Sequence, residues 1–99
     1  MILAMVAGTV VANQKAWSGV YRLVRPCKAD GSNDGSPPLV ALDAVGSREG
    51  DVVLLAQGSS CRWTEQTEGA PVDALVVGIV DAVHRWGVEI YGPGQGERL

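Results

Sequence analysis

Leu39-Val40-Ala41-Leu42-Asp43-Ala44-Val45-Gly46-Ser47-Arg48-Glu49-Gly50-Asp51-Val52-Val53-Leu54-Leu55-Ala56-Gln57 is the stretch that decides the architecture. Two short apolar runs, 39–45 and 51–57, flank a connection with a glycine at each end. Glycine tolerates a positive φ, so Gly46 and Gly50 suit a tight reversal of the chain. The runs are nearly continuous in apolar residues rather than alternating. That pattern predicts strands covered on both faces, inside a barrel or between subunits.

Working outward, Gly, Pro, Asn and Ser divide the rest of the chain in the same way. A β-branched run, 2–12, precedes the loop 13–19, and a second run, 20–27, contains Tyr21, Leu23 and Val24. Between it and Leu39 lies the most turn-rich segment, 29–38, which is expected to be a mobile hairpin loop without regular structure. A fifth run spans 74–83, and a weaker sixth, Val88–Tyr91, is expected to add an edge strand. One segment differs: 59–67 is polar and follows Gly58, with Ser59 or Ser60 placed to cap a short helix, and Pro71 then returns the chain to extended form. The fold expected is mainly β: a small five- to six-stranded OB-like barrel with one short helix before the last long strand. Residues 1–91 form a single barrel domain and 92–99 a flexible C-terminal tail. Closure removes sheet edges that would otherwise aggregate.

Composition narrows the function. With 99 residues, 46% of them hydrophobic and 19% charged, the chain has one modest core and a surface of low charge, as suits a subunit that covers itself with neighbours. The net charge of −3 and the pI of about 4.9 argue against nucleic-acid binding, which draws on Lys and Arg against phosphate. No apolar run approaches the ~20 residues of a membrane span. The apolar start, Met1 to Val6, has no basic region before it and continues into Gly8-Thr9-Val10-Val11, so it reads as a strand and the chain is expected in the cytoplasm. Cys27 and Cys61 are then expected as free thiols, a disulfide being the lesser reading. Two isolated Cys and one His offer no close-spaced ligand pair, so neither a metal site nor a cofactor is expected.

Four segments together resemble a known family, the pentameric vertex proteins of bacterial microcompartments, or EutN/CcmL family. They are Val6-Ala7-Gly8-Thr9-Val10-Val11-Ala12; Ala41-Leu42-Asp43-Ala44-Val45-Gly46; Gln57-Gly58-Ser59-Ser60 with Arg62; and Pro71-Val72-Asp73-Ala74 leading to Gly78-Ile79-Val80-Asp81. The resemblance implies an OB-like barrel, a homopentameric ring, and a place beside hexameric shell proteins at the corners of a polyhedral shell. This chain departs from the family pattern at Ser47 and Arg48, where small residues are usual, at Cys61, where alanine is usual, and in the approach 16–21.

Under that resemblance Gly58, Ser59, Ser60, Arg62, Asp43 and Asp73 are candidates for the subunit interface, with Arg62 pairing to Asp43 or Asp73 of a neighbour. Gly46, Ser47, Arg48, Glu49 and Gly50 are candidates for a loop at the ring axis. Five copies of Arg48 there would favour anions, and Glu49 would offset them. Catalysis finds no constellation: Ser59 and Ser60 lack a nucleophile elbow, and the single His84 has only Asp81 near it in sequence. Trp17, Trp63 and Trp86 are open to a core reading, but Trp17 and Trp86 sit at run ends beside turn residues, which makes them candidates for contacts between subunits or with shell tiles. The competing expectation is a monomeric OB-type module gripping an oligonucleotide or other ligand, with Tyr21, Arg22 and Arg25 on its face.

Overall fold

The computed structural model describes residues 1–13, 19–58 and 74–92. Its strands are β1 (Ile2–Val10), β2 (Val20–Pro26), β3 (Leu39–Asp43), β4 (Val52–Gln57), β5 (Ala74–Ile79), β6 (Val83–Arg85) and β7 (Val88–Tyr91). The first five close into a barrel in the order β1-β2-β3-β5-β4. Neighbours are antiparallel except β3 and β5, which run parallel through Leu42↔Leu75 and Asp43↔Val76. The mainly β barrel expected from the apolar runs is the observed architecture. The helix expected over 59–67 and the tail from 93 onward lie outside the described residues.

The continuous apolar runs have a direct physical reason. Successive side chains of a strand point to opposite faces, so such a run needs cover on both. Ala4, Val6, Val24, Ala41, Val53, Leu55, Ala74 and Val76 fill one cluster, the barrel interior. Their sequence neighbours Leu42, Ala56 and Leu75 pack on the other face with Tyr21, Ala44 and Val77, while Val40, Leu54 and Ile79 of that face are exposed. Each buried Val or Leu contributes about 1.5–3 kcal/mol through removal of apolar surface from water. A bulge between Val6 and Gly8 shifts the β1–β2 register, and another between Leu54 and Leu55 shifts β4–β5. Such bulges increase strand bend and twist, which closing a five-stranded sheet requires.

The loop between β2 and β3 holds no strand, as its composition predicts, but it is closed by hydrogen bonds of its own. Asp30 Oδ1 accepts from the Ser32 amide and hydroxyl, Asn33 Oδ1 from the Gly35 amide, and Asp34 Oδ1 from the Ser36 amide. The Lys28 amide donates to the Ser32 carbonyl at 2.8 Å, and Cys27 bridges to Asn33. Short Asx side chains substitute for backbone partners in such turns. Cys27 is a half-buried free thiol, and Cys61 lies outside the described residues.

Two boundaries differ from the sequence expectation. The fifth run ends as a barrel strand at Ile79, not 83, after which the Val80 amide makes one more bond to the Val52 carbonyl. The sixth run is not an edge of the barrel: β7 pairs with β6 in a separate two-stranded sheet. Trp86 and Gly87 form its turn with φ of 52° and 79°. Positive φ at both central residues is the mark of the tight hairpin turns that match strand twist. Tyr91 ties the hairpin back to the barrel, lying so close over Gly31 that a methyl added there would sit 3.0 Å from its ring.

Candidate functional site

Arg22 and Asp43 each sit two residues beyond a core residue of the same strand, Val24 and Ala41, and so share the inward face. Arg22 pairs directly across from Thr9 on β1 and Ala41 on β3, which makes Asp43 its diagonal neighbour. Polar side chains thus take over from Val and Ala where the barrel interior meets its mouth.

These groups satisfy one another. Arg22 Nε lies 3.4 Å from Asp43 Oδ2, and its two terminal nitrogens donate to Thr9 Oγ1 and to the Ser47 carbonyl. Asp43 Oδ2 also accepts from Ser47 Oγ at 3.0 Å, while Oδ1 accepts from the amides of Val45 at 3.0 Å and Gly46 at 3.1 Å. The Asp43 side chain is 2% exposed and that of Arg22 15%. A charge so enclosed persists only when paired and fully hydrogen-bonded, as here.

The clamp fixes the glycine-bounded loop. Gly46 (φ 78°) and Gly50 (φ 94°) adopt the left-handed backbone anticipated for them. The loop's far end is pinned to β1, with the Gly50 amide donating to the Val6 carbonyl at 2.8 Å and the Val6 amide to the Asp51 carbonyl at 2.9 Å. Asp51 Oδ2 accepts from the Arg48 amide at 2.8 Å. Ser47 is wholly buried with its hydroxyl on Asp43, whereas Arg48 and Glu49 are exposed.

The interface candidates fare differently. Gly58 follows β4 and is exposed, while Ser59, Ser60, Arg62 and Asp73 lie outside the described residues, as do Trp17 and Trp63. Asp43 already holds four partners within its own chain. Arg22, placed on the face for an oligonucleotide or other ligand under the competing expectation, is engaged in the clamp. The Arg22–Asp43 pair itself escaped sequence reasoning. Its only signal was a charged residue following an apolar alternation in each strand, and pairing the two requires the register.

At the opposite end of the barrel a cavity of about 570 Å³ opens between Ile2, Leu3, Pro26, Cys27, Pro37 and Leu39, with Asp34, Ser36 and Gln57 also in its wall. Burial pushes the Cys27 thiol above the ordinary 9.0, and the Asp34 and Asp30 carboxylates add to the shift. Among the described residues no group of His, Cys, Asp and Glu is arranged to hold a metal, and no helix is long and apolar enough to cross a membrane.

A five-stranded closed barrel of this order, with a clamped loop over one end, defines an OB-like barrel protein. The chain belongs to the family described as ethanolamine utilisation protein EutN/carboxysome, whose profile matches residues 1–81. It is 43% identical over 89 residues to the bacterial microcompartment shell vertex protein PduN of Salmonella typhimurium, covering 84% of this chain and 98% of PduN. Among solved structures it superposes on Gloeobacter violaceus CcmL with a TM-score of 0.85 at 32% identity, over 95% of this chain and 99% of that one. It also superposes on GrpN, a pentameric microcompartment shell protein from Rhodospirillum rubrum, with a TM-score of 0.74 at 35% identity, over 86% and 99% of the two chains.

Proposed function

We propose that this protein is a non-enzymatic structural subunit, a homopentameric ring that caps the vertices of a bacterial microcompartment shell in the cytoplasm, set among hexameric tiles. The observation that carries this reading is the match of almost the whole barrel to shell vertex proteins, one of them pentameric. Hexagonal tiles alone pave a flat sheet, and five-membered units at the corners let it close. Such a ring needs a head-to-tail contact that closes on itself.

Within the ring, the exposed Arg48 and Glu49 sit on the loop proposed for the axis; the Asp43 clamp, which fixes the conformation of that loop in each chain, supports the reading. Gly58, Ser59, Ser60 and Arg62 form part of the subunit contact. Arg62 pairs with Asp73 of the neighbour in preference to Asp43, whose carboxylate is already engaged. Native mass spectrometry tests the ring: an assembly of five 10.3 kDa chains is expected, and a monomer at micromolar concentration overturns it.

A further inference from the structure

We propose that the β6–β7 hairpin is the projecting half of the contact between subunits: Trp86 at its tip inserts into the cavity at the barrel end of the next copy of this chain. This rests on the ring reading and adds to it the two surfaces that meet. A closed ring of identical chains requires two different, complementary patches on every subunit. The chain presents both.

The projecting patch is the turn. Trp86 is 88% exposed, and Val88 beside it is 62% exposed. Its backbone is left-handed, with φ 52°. Asn, Asp or Gly is the ordinary occupant of that position, because a Cβ there crowds the following carbonyl. A bulky aromatic kept in an unfavourable backbone state at the most prominent point of a hairpin marks a residue whose value lies in contact. The guanidinium of Arg85 lies 4.3 Å from the centre of the indole. That stacking favours one orientation of the ring before any partner arrives, which lowers the ordering cost of association.

The receiving patch is the 570 Å³ cavity walled by Ile2, Leu3, Pro26, Pro37 and Leu39. Its size lies in the range of ~300–1,000 Å³ that encloses small organic ligands, ample for one indole. Asp34 in the same wall supplies the charge that Arg85 would meet on arrival. Trp86 does not fill this cavity within its own chain, since its ring is open to solvent and Tyr91 anchors the hairpin base at Gly31. A second copy is therefore the occupant that matches in size, apolar character and charge.

Cys27 lines the cavity and makes the contact measurable. In a Cys61→Ser background, Trp86→Cys treated with copper–phenanthroline should give a ladder of disulfide-linked chains up to five, and Cys27→Ser should abolish it. In parallel, Trp86→Asn suits the turn, so a failed ring cannot be blamed on a misfolded hairpin. It should raise the concentration at which the ring dissociates by about 30-fold, as loss of an interface hot spot does. A pentamer that persists with no ladder, or with Trp86→Asn assembling like the parent, overturns the contact and leaves the ring standing. A parent chain that is monomeric overturns both. A Trp86→Asn ring that is intact but no longer joins hexameric tiles overturns the contact too, and assigns the hairpin to the tiles.

Discussion

Arg22 on β2 and Asp43 on β3 meet at the barrel mouth with Nε 3.4 Å from Oδ2, and through Ser47 they hold the loop 46–50 in place. The pair is a structural lock rather than a surface ion pair, because the carboxylate is almost wholly enclosed. Removing one partner leaves an uncompensated buried charge, which costs more than the pair itself contributes.

Arg22→Ala should therefore destabilise the fold by about 3 kcal/mol in chemical denaturation, the low end for breaking a buried pair because Asp43 keeps its other donors. Ser47→Ala, which removes a single bond to a charged acceptor, should cost about 1.5 kcal/mol. A double-mutant cycle on Arg22 and Asp43 should give a coupling of about 1–3 kcal/mol. Additive losses would show that the two residues act independently.

Cys27 should react slowly with iodoacetamide, with a rate midpoint above pH 9.0 in a Cys61→Ser background. Burial disfavours its thiolate first, and the charges of Asp34 and Asp30 do so second. The unfolded chain loses this proton more readily than the folded one. The stabilising contribution is thus complete below pH 9.0 and is lost as pH rises through the folded value. Tyr91, raised above 10.0 chiefly by burial, extends the same trend. Melting temperatures measured upward from pH 8 should fall less steeply in Cys27→Ala than in the parent. A thiol that titrates at or below 9.0 would contradict this account.

Arg48→Glu should leave stability within about 0.5 kcal/mol, as for an exposed position, while reversing the field of the loop. Assembled shells carrying it should leak small anions more slowly than parent shells. Equal leakage would remove the loop from any role at the axis.

The parts legible in the sequence were those set by local chemistry. Glycines at 46 and 50 had to bracket a reversal, because only a residue without Cβ takes their backbone angles freely. The runs around Leu42 and Leu55 had to be strands, and they are; the cover expected on both faces is complete inside the barrel and partial outside, where Val40 and Leu54 are exposed. The second hairpin was missed because β6 is three residues long and only one of them, Val83, is apolar, and because its turn uses Trp86 where the usual signal is Asn or Asp. The bond from the Ser47 hydroxyl to Asp43 was not legible either, because nothing local shows that this side chain turns inward.

By itself the sequence determined a β-rich chain of short strands and the position of its tight loop, since each follows from residue type and spacing along the chain; its family entered as a resemblance carried by four segments. Only the tertiary structure decided that β3 and β5 run parallel to close the barrel, that Asp43 is spent on Arg22 and Ser47, and that Trp86 is exposed at a hairpin turn. The physical reason is sequence distance. Arg22 and Asp43 are 21 residues apart, and what brings them to one face is the register of β2 against β3, a property of the closed sheet and not of either strand.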